Sequence, residues 1–465
     1  MNDEIYTLSA SEIVNRIKSK ELSVLDLASV FVSRINKVES RMKAWAYFDE
    51  RKFIKQAEIV DKKINSNGFL GSLVGVPVGI KDIFNTFDTP TCMGSPLWKD
   101  FTPGNDARVV SRFREEDGII AGKTHTSEFA VHEPGPTRNP HNLDYYPGTS
   151  SSGSAVAVAC GMVPVALGSQ TAGSIIRPAS YCGVYGFKPT FGLIPRTGML
   201  KTTDSLDQIG WFARNIDDIR LLFDGLRVKG QNYPYVYKYI DKKSPGEFIR
   251  EKMKIAFVRC PQWEFVEKYA EEDFYNFIDR LSELNNIDVE EIILPPEFDS
   301  SHDVHETIYD KELAYYFKEE YENKEFTSNR FCEMVERGIN TSMEKYRKAQ
   351  SHQILLRNRL NALLNKYDTI LTLSSTGEAP KFSNPVDKPD SCLIWTLCGV
   401  PVINVPVFSG PNGLPFGLQI IAKRYNDLLL LNYIKLLEEH ELVEALSPVE
   451  VYKDVTRSLT QKMTI

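Results

Sequence analysis

The chain is poor in histidine, has no paired-cysteine motif, and contains neither a long apolar run nor a basic block. Seven histidines are spread over 465 residues, and none falls in the densest stretch of small residues, 148–180. The usual base for a serine or cysteine nucleophile is therefore missing where a nucleophile would be sought. The cysteines, Cys92, Cys160, Cys182, Cys260, Cys332, Cys392 and Cys398, are odd in number and form no CxxC pair. That excludes a disulfide framework and zinc-ligand spacing, and it fits a reducing, cytoplasmic setting. No apolar run reaches the roughly 18 residues of a membrane span. The start, MNDEIYTLSASEIVNRIKSK, lacks the apolar segment of a signal peptide. The formal net charge is −7, so nucleic acid is not an expected partner. His125, His132 and His141 are not spaced as ligands on one helical face, and no metal or cofactor is expected.

The composition, 42% hydrophobic and 25% charged, is that of a globular chain with ample material for a core. Residues 1–60 read as helices. SVLDLASVFVSRINKV has a capping pattern at Ser23 and Asp26, and Leu27, Phe31, Ile35 and Val38 on one face. SLVGVPVGIKDIF reads as a strand entering a loop. VVSRFREEDGIIAGKT reads as a helix, a stop at Gly118, and a buried strand. SSGSAVAVACG is a helix of small residues, and MVPVALGSQT a strand entering a turn. MKIAFVRC, IDVEEIILP, YDTILTLSS, PVINVPVF and FGLQIIAK continue the strands, while 301–366 reads as a helical excursion. This alternation predicts an α/β fold, a large mixed sheet surrounded by helices. The expected organisation is a single domain over 1–465.

Two serine clusters bound the small-residue stretch. In SQTAGSIIRP a strand ends and a tight turn follows, whose successive N–H groups can cradle an anion. A serine beside such donors is what acyl transfer needs, because they stabilise the oxyanion of the tetrahedral intermediate. With no histidine at hand, Lys81 in GVPVGIKDIF is the candidate base, since burial disfavours its charged form. The cluster around Ser150 could relay the proton. A phosphate-binding reading fails, because neither GxxxxGK[ST] nor a helix-opening GxGxxG is present.

The same residues resemble the amidase signature family, whose members cleave amide bonds with a Ser–cis-Ser–Lys triad. The resemblance is carried by GVPVGIKD, GIIAGKTHTSEFA, the block from RNPHNLDYYPGTSSSGSAVAVACG through FGLIPRTG, DSLDQIGWFARNIDD and WTLCGVPVINVPV. It implies Ser174 as nucleophile, Ser150 as the relay serine with a cis bond before it, and Lys81 as base. It also implies an oxyanion hole from the N–H groups of Thr171, Ala172, Gly173 and Ser174. Neither cofactor nor metal is implied.

The sequence departs from the family pattern G-S-D-T-G-G-S-I-R. Gln170 stands for a carboxylate, Ala172 for a glycine, and Arg177 falls one place late. A similar Q-T-x-G-S-x-I-R-P form occurs in a branch that includes carboxybiuret-type hydrolases. Glycine is also commoner at Ser152. The expected function is an amidohydrolase acting on a small-molecule amide, in a chain that could form a homodimer. One alternative is the amidase subunit of a tRNA-dependent amidotransferase, although its tyrosine-rich YYD-x-YY-x-KA element is matched here only by GINTSMEKYRKAQ. A non-catalytic binding protein on the same scaffold is a second alternative. Segments 125–132, 200–206 and 374–382 are candidates for the acyl pocket. Cys182 reads as a packing thiol and Trp395 as core or pocket wall.

Overall fold

The structure is a computed structural model that describes residues 5–385 and 388–450. The first four residues of the chain, and the ends of the expected 1–465 unit, lie outside the described residues. Among the described residues, eleven strands form one mixed sheet. They are β1 Trp45–Phe48, β2 Pro77–Lys81, β3 Ile119–Thr124, β4 Val165–Gln170, β5 Tyr185–Lys188 and β6 Gln208–Ala213, then β7 Met253–Val258, β8 Ile287–Ile292, β9 Thr369–Leu373, β10 Val402–Ser409 and β11 Pro415–Ala422. Their order across the sheet is β1-β3-β2-β4-β6-β5-β10-β11-β9-β7-β8. β2 runs parallel to β3 and β4, and β4 pairs antiparallel with β6. Every residue of β2, β3 and β4 is buried, as expected of parallel strands covered on both faces. The carboxyl ends of β2 and β4 lie side by side, which is where open α/β sheets place ligands.

The helix Val24–Met42 starts at Ser23, whose side chain accepts from the Asp26 N–H, and Leu27, Phe31, Ile35 and Val38 are all buried. An all-helical start is corrected by β1, which lies between the helices Val24–Met42 and Glu50–Asn65. Its four residues are too few to show a period, and pairing with β3 holds them extended. The stop after the helix Arg108–Glu115 also differs from expectation. Asp117, at φ +62, takes the left-handed turn. Gly118 is required for another reason, since a Cβ there would lie 2.0 Å from the Phe113 ring.

The segment after 300 forms the helices Ser301–Tyr316, Lys318–Glu322, Asn329–Asn340 and Met343–Leu363. Arg337 bonds Asp310 at 2.6 Å, and the Tyr346 hydroxyl donates to Glu312 at 2.7 Å, tying these helices together. Among the described residues, no helix is long and apolar enough to cross a membrane.

Candidate active site

Lys81 ends β2 and is wholly buried. Its Nζ lies 2.7 Å from Ser150 Oγ and 2.8 Å from Ser169 Oγ. Among the described residues, no carboxylate comes within ion-pair distance of it. Burial pushes its pKa well below the ordinary lysine value, and the charge of Asp207 opposes that only in part. A lysine bonded only to hydroxyls in a dry site is poised to be neutral, and a neutral amine can accept a proton.

The serines around Ser150 have separate duties. Ser151 Oγ donates to the Ser169 carbonyl at 3.1 Å, and Ser154 Oγ to the Leu167 carbonyl at 2.8 Å. They fasten the wholly buried helix Ser152–Ala159 onto β4. Ser152, buried at its first position, shows no side-chain bond to the triad residues. At Gly148, φ is +96° and a Cβ would lie 2.7 Å from Pro178 Cα. The chain leading to Ser150 therefore presses directly on the helix Ile176–Cys182, which follows Ser174. That close approach accounts for the crowding of small residues.

The cis bond implied before Ser150 is not found. Among the described residues no peptide bond is cis. A cis bond at a non-proline residue costs about 3 kcal/mol, and the trans backbone already brings Ser150 within bonding distance of Lys81.

Ser174 lies half-buried in the turn after β4. Its hydroxyl has no hydrogen-bond partner among the described residues. Of the expected relay, the structure thus shows the Lys81–Ser150 bond and no Ser150–Ser174 bond among the described residues. The N–H groups of Ala172, Gly173 and Ser174 likewise make no bonds among the described residues, so they remain available as donors.

The turn is held from several sides. Gln170 Oε1 accepts from the N–H groups of Ile175 at 2.8 Å and Ile176 at 3.0 Å. Its Nε2 donates to Thr396 Oγ1, which in turn donates to the Ala172 carbonyl at 2.8 Å. A carboxylate could accept those N–H bonds but could not donate to Thr396. Thr171 Oγ1 donates to Asp207 at 2.7 Å. Asp207 also accepts from the backbone and hydroxyl of Thr202 and Thr203. Burial brings the His305 imidazole down to about 4, and because a carbonyl only accepts, its Nε2–H is the donor to Thr171 at 2.8 Å. The helix Ser301–Tyr316 thereby reaches the turn. Ala172 lies outside the left-handed region, which is why alanine is accepted there. Arg177, despite its later position, still abuts the turn: its N–H bonds the Gly173 carbonyl, and its Nε pairs with buried Asp390 at 2.6 Å.

The sequence reading missed Ser169, Asp207, His305 and Thr396. Ser169 had a signal, because it lies one residue before the end of a strand that leads into the Ser174 turn. The others come from distant segments with no local mark. Of the pocket candidates, 200–206 reaches Thr171 through Thr202, and 374–382 reaches the helix after Ser174 through the 2.7 Å Ser180–Ser375 bond. Segment 125–132 bonds the helix Ser152–Ala159 through the His125 carbonyl and Gly153 N–H.

Burial pushes the Cys182 thiol well above its ordinary value. It donates to the Pro147 carbonyl at 3.4 Å, as a packing group does. Trp395 is wholly buried. His141 bonds the Cys182 carbonyl at 3.0 Å, while His125 lines a separate cavity of about 410 Å³ beside Asp82 and Glu128. Among the described residues, no group of three or more His, Cys, Asp or Glu is arranged to hold a metal ion.

The Amidase family model matches residues 26–431. A glutamyl-tRNA(Gln) amidotransferase subunit of Carboxydothermus hydrogenoformans is 32% identical, covering 94% of this chain and 98% of that protein. The solved structure of the Thermotoga maritima glutamyl-tRNA(Gln) amidotransferase subunit aligns with TM-score 0.76 and 26% identity over 96% of this chain and 98% of its own. The peptide amidase of Stenotrophomonas maltophilia shares the fold, with TM-score 0.83 and 24% identity over 96% and 99% of the two chains. The chain belongs to the amidase signature family and is an enzyme acting on amide C–N bonds.

Proposed function

We propose that the chain cleaves a primary carboxamide through an acyl-enzyme on Ser174 and releases ammonia. The observation that carries this reading is Lys81, buried without a carboxylate and bonded to Ser150 at 2.7 Å beside the Ser174 turn. Neutral Lys81 takes the proton of Ser150, which takes that of Ser174 as the substrate draws the two serines together; catalytic hydrogen bonds often tighten only in the reacting complex. Ser174 Oγ attacks the amide carbon, and the N–H groups of the 171–174 turn hold the oxyanion. The relay returns the proton to the departing nitrogen, which leaves as ammonia. Water then adds to the acyl carbon by the same path, giving the carboxylic acid and free Ser174.

The setting that the curated relatives support is one component of an amidotransferase, in preference to the free-standing amidohydrolase that the sequence favoured. Glutamine is then the amide, and partner chains use the ammonia. The lack of the tyrosine-rich element keeps a free-standing hydrolase as a second reading. The test is ammonia release from glutamine and from simple primary amides by the purified chain, with hydroxylamine trapping of the acyl group. Glutamine turnover is expected, with the γ-glutamyl hydroxamate released when hydroxylamine is present. Turnover of simple amides but not of glutamine selects the free-standing enzyme. A Ser174→Ala variant as active as the wild type would sink both.

A further inference from the structure

A second cavity, of about 740 Å³, opens where β11 ends. Tyr235, Tyr239 and Tyr425 lie there as a parallel set, with centroids 5.7 to 6.4 Å apart and planes within 7° to 15° of one another. Tyr235 is 65% exposed and Tyr239 37%. Lys238 lies over the Tyr239 ring at 5.1 Å and Arg424 over the Tyr425 ring at 5.5 Å, so the most exposed ring, Tyr235, offers the aromatic surface to whatever enters. Tyr425 holds its place at a cost, because φ is +68°, a region bulky residues avoid. Its N–H donates to Thr190 Oγ1 at 2.9 Å, and that hydroxyl donates to Asp427 at 2.6 Å. The surrounding fold thus over-determines the strained residue, a pattern that clusters at ligand sites.

The same cavity is strongly basic. Lys243, Arg250, Lys366, Lys423 and Arg424 line it against one carboxylate, Asp368, and that carboxylate is engaged by Arg250 at 3.3 Å. Arg424 Nε is buried and has no hydrogen-bond partner among the described residues. Three amides, Asn361, Asn365 and Asn426, complete the polar lining.

The geometry points to a nucleotide-binding site. A ligand that uses both halves of the cavity needs a flat ring for the tyrosines and an anion for the cations. A base and its phosphate supply the two together, with the amides able to meet the base edge. The overall charge of −7 concealed this local excess. The cavity is separate from the Ser174 turn: β6, β5 and β10 stand between β4 and β11, roughly 20 Å at the usual strand spacing. The inference therefore does not rest on the hydrolytic reading. Two sources share the chemistry, a free nucleotide and the end of a single strand.

Calorimetric titration of the full chain with AMP, inorganic phosphate and a hexa-adenylate RNA, at about 50 and about 200 mM salt, tests it. AMP is expected to bind, with phosphate at least about tenfold weaker. Tyr235→Ala should weaken AMP about tenfold or more, as loss of a stacking partner does, and Tyr235→Phe should restore it. Arg424→Met should weaken AMP and flatten the salt dependence. Ammonia release should be unchanged in Tyr235→Ala, which also reports that the variant is folded. Hexa-adenylate binding about tenfold tighter than AMP identifies a strand end, and equal or weaker binding a free nucleotide. The proposal is overturned by absence of binding of both at low salt, by phosphate binding as tightly as AMP, or by AMP affinity that survives both substitutions.

Discussion

Lys81 and Lys123 sit on neighbouring parallel strands, one register step apart, and both are wholly buried. They differ in company. Lys123 lies 3.1 Å from the buried carboxylate of Asp82 and also donates to Thr91 Oγ1 at 2.7 Å. Lys81 meets only the hydroxyls of Ser150 and Ser169. Burial lowers the pKa of both, but for Lys123 the Asp82 charge and hydrogen bond oppose the shift directly. Burial alone therefore does not make a base. Of these two neighbours, Lys123 keeps a carboxylate within reach, and the candidate base has none among the described residues.

That contrast can be broken most sharply at Lys81. Lys81→Met should lower kcat for amide cleavage by about 10³-fold or more, since the nucleophile loses its base. Its thermal melt should stay at or above that of the wild type, because a poorly compensated buried amine has been removed. A variant that kept near-normal turnover would end the assignment.

The reverse outcome is expected for Lys123→Met. It strands Asp82 as a buried, unpaired carboxylate, which costs about 3–5 kcal/mol when one partner of such a pair is lost. Urea unfolding should show a reduced midpoint, while folded protein retains activity. A melt as high as that of Lys81→Met would erase the distinction.

Titration sharpens the comparison. The folded-state pKa of Lys81 is depressed, so between that value and the ordinary lysine value the unfolded chain holds the extra proton. Stability should rise with pH through this window. Activity should also rise as Lys81 loses its proton. Lys81→Met should flatten the stability slope, measured by denaturant midpoints across pH.

The smallest effect is expected at Ser169. Ser169→Ala removes one hydroxyl acceptor from the ammonium, which disfavours the charged form further. Turnover should fall by about tenfold or less, and the activity profile should move to lower pH. An unmoved profile would make Ser169 a packing group.

Much of this arrangement was legible because local patterns were strong. β2, β4 and the small-residue helix could be read from apolar runs ended by glycine or a turn. The missing histidine turned attention to Lys81 and the two serine clusters, and the family resemblance assigned the roles of Lys81, Ser150 and Ser174. β1 was hidden because four residues between two amphipathic helices show no period of their own. His305 and Thr396 were hidden because they reach the Ser174 turn from segments more than 100 residues away, through one or two side-chain bonds each. Contacts of that kind leave no mark on sequence spacing. The trans bond before Ser150 differs from the expectation for a related reason, since the resemblance supplied a backbone state that no residue pattern here required.

Gln170 has one more consequence. Where relatives of this pattern carry an acid, this chain braces the Ser174 turn with an uncharged amide that both accepts and donates. An amide gains and loses no proton between acid and base, so acidification gives the brace nothing to release. Any acid-side fall in turnover must then arise elsewhere, in the protonation of Lys81 or of His305, which holds the Thr171 carbonyl of the same turn. The Gln170 brace itself thereby drops out of the enzyme's response to acid.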